Sequence, residues 1–210
     1  MTHPVFDTLI RALREGPRVP TVGFDRTPRG ERSAAVLMLF TDAPDPHLTF
    51  LTRAETLRRH AGQVALPGGA VDPGDPDRAA TALREAEEEI GLDPSLVTVL
   101  GTLPPLWVPA SHYDVTTVVG TWPGGRPLHP VDPAETGAVH SCAVSRLASS
   151  EVRVTGAHPS GYRGPAFVLG EQFVWGLTAL LLDWVLDLAG WKLPWDVDRV
   201  VDIPKRFMRD

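Results

Sequence analysis

Cysteine is nearly absent from this chain: Cys142 is the only one among 210 residues, so no disulfide can form within it. The N-terminal segment MTHPVFDTLIRALREG also lacks the continuous apolar core of a signal peptide. These two absences favour the reducing cytoplasm as the location. The most apolar stretch, residues 173–190, contains Asp183 and Asp187 and falls short of the roughly 20 apolar residues that cross a bilayer. We therefore predict a buried helix there and no membrane partner.

An excess of positive charge is also missing. The 20 Lys and Arg residues face 26 Asp and Glu residues, which gives a formal net charge of -6. This balance excludes a global positive field that could hold nucleic acid, so a small anionic substrate would have to be bound by a local group of residues. The length favours a single domain, residues 1–210, with an N-terminal helix and a C-terminal helix plus tail.

The apolar patterns predict helices at both ends of the chain and strands between them. Helical spacing covers residues 5–15 and stops at Gly16 and Pro17, and a loop follows to about Arg32. Strands are predicted at 34–40 and 47–53, which would form a hairpin, and then at 97–103, 113–120 and 137–144, with a short strand in GQVALPGG. The proline-rich stretches 123–133 and 156–165 are interpreted as connections, 172–188 as a second long helix, and 191–210 as an irregular tail.

The best-marked helix covers residues 75–91. Asp75 is expected to cap it, Pro76 suits the first turn, and Gly91 suits the position just past the end. At about 100° per residue, one face of this helix is apolar and the opposite side carries three carboxylates. The apolar residues are Ala79, Leu83, Ala86 and Ile90, and the carboxylates belong to Glu85, Glu88 and Glu89, whereas Glu87 falls outside the group.

A solvated polar face is the ordinary explanation of such an acidic run. Glu85 and Glu89, however, form a like-charged pair one turn apart, and only Glu88 is expected to have a cationic partner on the helix, Arg84. The group also lies near the negative end of the helix dipole, which disfavours carboxylates. A divalent cation would relieve both costs, and Mg²⁺ binds through a few carboxylates while it also accepts phosphate oxygens.

These residues resemble the Nudix box, G-x5-E-x7-R-E-U-x-E-E-x-G-U, where U is aliphatic. The second half of the box is complete as REAEEEIGL, residues 84–92. In the first half, Gly69 lies one residue further from Arg84 than the box specifies, and Asp75 or Asp77 stands in the region of the first glutamate. The resemblance implies a Nudix α/β/α sandwich with a mixed sheet, in the α/β class, and a hydrolase that uses Mg²⁺ or Mn²⁺.

The spacing between Gly69 and Arg84, one residue longer than in the box, resembles that of the coenzyme A pyrophosphatase subgroup of this family. That subgroup has a preceding segment L-T-x-R-x-x-x-L-R-x-H-x-G-Q-V-A-F-P-G-G, and this chain reads LTR at 51–53 and LRRHAGQVALPGG at 57–69. Residues 174–182, VWGLTALLL, also resemble the C-terminal helix of the subgroup. The resemblance implies hydrolysis of coenzyme A to 4′-phosphopantetheine and adenosine 3′,5′-bisphosphate.

The resemblance also implies roles for individual residues. Glu85 and Glu89 would be the main metal ligands, Glu88 a further ligand or the base that activates water, and Arg84 the residue that orients them. Gly68 and Gly69 would let the backbone turn beside the phosphates, and Glu135 could add one more acid. The diphosphate and a 3′-phosphate would be bound by the basic segment that contains Arg53, Arg58, Arg59, His60 and Gln63.

Two other functions stay open. A Nudix pyrophosphatase that acts on ADP-ribose or another nucleoside diphosphate derivative would keep the acidic helix, and a non-catalytic module that senses a nucleotide would keep only the fold. Homodimerisation also stays open. The histidines His112, His129, His140 and His158 have no metal-ligand spacing, and Cys142 has no evident catalytic partner, so we interpret all five as structural.

Overall fold

The computed structural model describes residues 2–20 and 26–208. Part of the predicted loop before Arg32, residues 21–25, and the last two residues of the predicted tail therefore lie outside the described residues. No helix in the described part of the chain is both long enough and apolar enough to span a membrane.

An eight-stranded mixed sheet forms the centre of the fold. The strand β1 pairs in parallel with β7 over nine residues, from Ser33↔Asp114 to Thr41↔Trp122, and the remaining pairs are antiparallel. The strands are β1 (Ser33–Thr41), β2 (His47–Arg53), β3 (Val64–Ala65), β4 (Gly68–Ala70), β5 (Thr98–Thr102), β6 (Leu106–Val108), β7 (Tyr113–Trp122) and β8 (Thr136–Ala143). All the strands predicted from the sequence are present.

The first two strands diverge from each other, and this divergence positions the glycines of the box. They pair only at Phe40↔Leu48, beside their turn. Further along, β1 pairs with β4 at Ala35↔Gly69 and Val36↔Gly68, while β2 pairs with β3. The segment that carries Gly68 and Gly69 therefore fills the gap between β1 and β2 and forms part of the sheet itself.

Helices cover both faces of this sheet. On one face, Ala35, Leu37 and Leu39 of β1 pack against the helix α2 (Arg78–Ile90). The alternate residues Met38 and Phe40 belong to a larger core on the other face, which contains α1 (Asp7–Glu15), α3 (Val144–Ala148) and α4 (Gly176–Leu188). Successive strand side chains point to opposite faces, which explains why β1 is buried on both sides. The predicted α/β/α arrangement is confirmed.

A second sheet of four strands was not predicted. It contains β9 (Arg153–Ala157), β10 (Arg163–Leu169), β11 (Gln172–Val174) and β12 (Val200–Asp202), in the order β11-β10-β9-β12. The interpretation of 156–165 as a connection was therefore wrong. Pro165 is tolerated in β10 because it faces Thr155 on one side, whereas β11 pairs only with residues 167–169 on the other, so no ladder bond there requires its N–H.

The C-terminal region differs from its prediction for the same reason. The helix α4 begins at Gly176, not at 172, because residues 172–174 form β11. The predicted irregular tail contains β12 and a 3₁₀ turn, Lys205–Phe207. Phe167 and Val174 of the second sheet share the larger core with Met38 and Phe40, so the two sheets are packed through one cluster. The single-domain assignment stays a prediction.

Candidate active site

The acidic helix α2 is shorter at its start than its sequence predicts. Asp77 is the capping residue, and its side chain accepts a hydrogen bond from the backbone N–H of Ala80 at 2.8 Å. The predicted cap, Asp75, instead accepts hydrogen bonds from Arg84 and from the Thr81 hydroxyl. The end is as predicted, because Gly91 has a left-handed conformation with φ 68°. The helix axis is thus fixed at both ends beside β4.

Two carboxylates of α2 lie directly on β4. The Glu89 Oε2 atom accepts a hydrogen bond from the backbone N–H of Gly68 at 2.9 Å. A Cβ atom on Gly69 would lie 2.5 Å from the carboxylate of Glu85, so any side chain at this position would displace that group. Gly69 therefore leaves room for the Glu85 carboxylate, and Gly68 supplies the backbone N–H that binds Glu89.

Burial perturbs both of these carboxylates. Desolvation raises the pKa of Glu89 to about 7, although the hydrogen bond from Gly68 and the charge of Arg53 partly oppose this effect. The nearby charges of Glu85 and Glu135 raise the pKa of Glu89 further. Desolvation also raises the pKa of Glu85, against the effect of its contact with Arg84. The site is therefore short of positive charge around Glu89, which is the feature that the acidic pattern predicts.

Arg84 is the centre of an ion-pair network that includes Glu85. Its Nη1 atom lies 3.0 Å from Glu85 Oε1 and 3.1 Å from Glu88 Oε2, and its Nε and Nη2 atoms each lie 3.1 Å from an oxygen of Asp75. The expectation that only Glu88 has a cationic partner was therefore wrong. The hydrogen bonds from Arg84 hold the pKa of Asp75 well below its usual range, and those to Asp75 raise the pKa of Arg84.

Glu88 differs from the other two glutamates in its surroundings. Its side chain is 58% exposed, against 17% for Glu85, and it lies on the Arg84 side of the helix. The structure thus brings Glu85 and Glu89 together at β4 and leaves the Glu88 side chain exposed. The sequence placed Asp75 near the first acid of the box but did not predict that it binds Arg84. The two residues are nine positions apart, so helical spacing does not reveal this contact.

The basic segment, residues 53–63, reaches the carboxylates through Arg53. This residue ends β2, and its charge acts on Glu89. The Nε atom of Arg53 is buried and has no hydrogen-bond partner in the described part of the chain. Arg58 and Arg59 are exposed on the connection to β3. A buried donor without a partner near the Glu89 carboxylate is the arrangement that an anionic group would complete.

His60 and Gln63 face the C-terminal region instead. The Nδ1 atom of His60 lies 3.1 Å from Gln63 Oε1, and the backbone of His60 is left-handed, with φ 57°. The Nε2 atom of Gln63 donates a hydrogen bond to the carbonyl oxygen of Phe207 at 2.7 Å. In this structure these two side chains therefore join the basic segment to the end of the chain.

Glu135 lies close to the site. It immediately precedes β8, and its carbonyl oxygen accepts a hydrogen bond from the N–H of Ala54 at 2.9 Å, next to Arg53. Its side chain is exposed, and its charge acts on Glu89. Glu135 is therefore close enough for its charge to act on the carboxylate of Glu89, and its role as an additional acid stays a prediction.

The residues present fit a hard divalent cation, although the ligand set is incomplete. Among residues 2–20 and 26–208, no three His, Cys, Asp or Glu side chains converge as a ready metal site. The buried Glu89 and Glu85 nevertheless supply the oxygen donors that Mg²⁺ takes, and Mg²⁺ uses one or two carboxylates together with waters and substrate phosphates. The raised pKa of each carboxyl group shows where a positive charge would be stabilising.

A cavity of about 290 Å³ lies at the other face of the sheet. It is lined by Thr52, whereas the next residue, Arg53, points toward α2, because successive strand residues face opposite sides. Val64 and Phe207 form part of its apolar wall. The cavity and the carboxylates therefore flank the same end of β2 from opposite faces.

Comparison with known proteins identifies the family. The NUDIX domain model matches residues 31–159. The chain is 40% identical over 153 residues to the "Uncharacterized Nudix hydrolase NudL" of Yersinia pestis (strain Pestoides F), and equally to that of Yersinia pseudotuberculosis serotype O:3 (strain YPIII). The match covers 72% of this chain and 76% of each relative.

Solved structures with a similar arrangement include a Nudix hydrolase, RenU, from M. smegmatis. Its TM-score is 0.47 at 24% identity, over 56% of this chain and 73% of RenU. A binary complex of the C. elegans Ap4A hydrolase has a TM-score of 0.45 at 19% identity, over 55% of this chain and 82% of that protein. The match to the family model and the identity to the Yersinia proteins show that this chain belongs to the Nudix family of hydrolases, pyrophosphatases that act on phosphorus anhydrides. Nudix hydrolases generally use divalent metal ions such as Mg²⁺ or Mn²⁺.

Proposed function

We propose that this enzyme hydrolyses the diphosphate of coenzyme A to 4′-phosphopantetheine and adenosine 3′,5′-bisphosphate. The observation that carries the proposal is the position of Glu89, buried against the N–H of Gly68 and close to Arg53. The hydrogen bond joins the box helix to residues 57–69, which resemble the coenzyme A subgroup, and the charge of Arg53 acts on the same carboxylate. The diphosphate would bind between them.

Glu85 and Glu89 are the proposed metal ligands, and Glu88 is a further ligand or the base. A bound Mg²⁺ or Mn²⁺ would neutralise the diphosphate and activate a water for in-line attack. Arg84 holds Glu85 and Glu88 in position through its ion pairs with both. Gly69 leaves room for the Glu85 carboxylate, whereas a side chain on Gly68 would collide with the backbone of β1 at Ala35 and Val36.

Arg53 is the proposed contact for the diphosphate because its buried Nε lacks a partner in the described residues. Arg58 and Arg59, on the exposed connection, supply further charge near the same end of β2. With a net charge of -6, the protein has to hold an anion by such a local group. Gln63 anchors this segment through its hydrogen bond to Phe207, and the His60 side chain lies against that of Gln63.

The coenzyme A assignment is supported by the contact between two segments outside the box. The basic segment meets the C-terminal region at Gln63 and Phe207, and the Thr178 hydroxyl donates a hydrogen bond to the carbonyl oxygen of Val64 at 3.4 Å. Thr178 lies in the part of α4 that resembles the coenzyme A subgroup. The two segments that resemble the subgroup, residues 57–69 and 174–182, are thus in contact with each other.

A substrate panel tests the proposal. The purified protein with Mg²⁺ or Mn²⁺ is incubated with coenzyme A, ADP-ribose and nucleoside triphosphates, and the products are separated by liquid chromatography. Release of 4′-phosphopantetheine from coenzyme A, with the highest kcat/KM of the panel, is expected. Intact coenzyme A beside cleaved ADP-ribose would refute the substrate assignment.

A matched pair of variants tests the metal site. Glu85→Gln should reduce kcat by at least about 100-fold, because it removes a charged ligand beside β4. Glu87→Gln, an exposed position on the same helix, should keep the wild-type rate. Unchanged turnover in Glu85→Gln would overturn the assignment of Glu85.

A further inference from the structure

The cavity behind β2 is a second binding region at the same end of the sheet. Three parts of the chain that are distant in sequence form it: the end of β2 with the basic segment, the turn before β11, and the 3₁₀ turn near the C-terminus. Hydrogen bonds hold these parts together, because Gln63 donates to Phe207 and the Arg206 guanidinium donates to the carbonyl oxygen of Glu171 at 2.6 Å. The cavity is thus built from fixed elements of the fold.

The chemistry of its lining suits an uncharged, flexible chain with amide groups. Ala61, Val64 and Phe207 give an apolar wall, and Gln172 offers an amide for hydrogen bonds. The Thr52 hydroxyl also lines the cavity and lies 2.7 Å from the Nε2 atom of His140. The carboxylates of Glu55 and Glu171 also line the cavity, against the one guanidinium of Arg206. This balance disfavours a phosphate group and leaves acceptors for amide N–H donors. The volume of about 290 Å³ is at the lower limit of small-molecule pockets.

We infer that this cavity binds the pantetheine arm of the substrate while the diphosphate lies at Glu89 and Arg53. This inference rests on the proposed function. The arm carries two amides, short alkyl segments and a terminal thiol, so it matches the mixed lining. Because acyl groups are attached at that thiol, the cavity would also determine which acyl forms are accepted, and the carboxylates of Glu55 and Glu171 would disfavour acyl groups that end in a carboxylate.

The inference requires the arm to pass around the end of β2. Thr52 and Arg53 are consecutive residues of this strand that face opposite sides of the sheet. An extended chain advances about 3.3–3.6 Å for every three bonds, so the arm spans roughly 15 Å from its phosphate to its sulfur. In this inference, one substrate molecule occupies both regions.

Two variants with a matched control test this inference. Ala61→Met fills the cavity, and Gln172→Ala removes an amide from its lining without adding volume. Ala43→Met, in the turn between β1 and β2, adds the same side chain at the opposite end of the sheet. Isothermal titration calorimetry then measures the binding of 4′-phosphopantetheine and of adenosine 3′,5′-bisphosphate separately, and thermal unfolding confirms that each variant is folded.

In Ala61→Met, the Kd of 4′-phosphopantetheine and the KM of coenzyme A should both rise by about tenfold or more, and the Kd of adenosine 3′,5′-bisphosphate should stay at its wild-type value. Gln172→Ala should shift the same two constants in the same direction, and Ala43→Met neither. Wild-type binding of 4′-phosphopantetheine in folded Ala61→Met, or equal weakening of both products, would overturn the inference. If the wild-type protein binds 4′-phosphopantetheine in the cavity but leaves coenzyme A intact, the proposed function fails separately.

Discussion

Replacement of Glu89 by Gln should stabilise the protein when divalent metal is removed. The pKa of Glu89 is about 7 in the folded chain, against 4.5 for an ordinary glutamate, because burial disfavours its charged form. The folded state binds the proton on Glu89 more tightly than the unfolded state does, so protonation of Glu89 stabilises the folded chain. This contribution is fully present below pH 4.5 and is lost as the pH rises through 7. Above that pH, the ionised carboxylate costs the folded protein up to about 3 kcal/mol.

Gln keeps the acceptor for the N–H of Gly68 and carries no charge at any pH. We therefore expect Glu89→Gln to exceed the wild type in free energy of unfolding by up to about 3 kcal/mol at pH 8 and by less than about 1 kcal/mol at pH 5. Urea denaturation with a chelator present measures both differences. The exposed Glu87→Gln should change stability by less than about 0.5 kcal/mol at either pH.

Magnesium should make the wild type more stable than Glu89→Gln at pH 8. A cation that binds only the folded wild type stabilises it by about 4.1 kcal/mol at a concentration of 1,000 times its Kd, which exceeds the advantage of about 3 kcal/mol held by Glu89→Gln, and Glu89→Gln should respond less. Equal stability of the two proteins at pH 8 without metal, or a difference that is the same at pH 5 and pH 8, would refute the reasoning that Glu89 is buried with too little positive charge around it.

Two further predictions concern the residues that position the glutamates. Gly69→Ala should lower kcat by about 100-fold, because its Cβ would lie 2.5 Å from the Glu85 carboxylate. The control Gly74→Ala meets no atom within 4 Å and should keep the wild-type kcat. Equal rates of the two variants in steady-state assays would contradict the contact between Gly69 and Glu85. Asp75→Ala should lower kcat by about 10-fold or more, because Arg84 loses two hydrogen bonds. Asp77→Ala should instead lower the free energy of unfolding by about 1 kcal/mol at unchanged kcat, because it removes the helix cap. If Asp75→Ala lowered the free energy of unfolding and left kcat unchanged, Asp75 would have only a capping role.

The acidic helix was predictable because its signals are local. Apolar spacing places α2 on the sheet, Gly91 marks its end, and the crowding of Glu85 and Glu89 follows from helical periodicity alone. The same holds for the strands of the central sheet, whose apolar runs are continuous. The start of the helix was misplaced by two residues because both Asp75 and Asp77 are good capping residues, and only packing selects between them.

The second sheet could not be predicted from local pattern. Pro165 and the glycines around it resemble a connection, and β10 is stable only because β9 and β11 lie beside it. Strand stability depends on cross-strand partners, and a sequence window does not contain them. The start of α4 was misplaced for the same reason, because residues 172–174 pair with β10 instead of joining the helix.

The sequence by itself determined that a helix carries carboxylates in excess of their neighbouring cations, that a basic segment precedes it, and that both resemble one family. Tertiary structure alone decided that Glu89 is buried against Gly68, that Arg84 also pairs with Glu85, and that Gln63 meets Phe207 beside a cavity. The physical reason is that burial and long-range hydrogen bonds depend on distances through space, whereas periodicity and capping depend on distances along the chain.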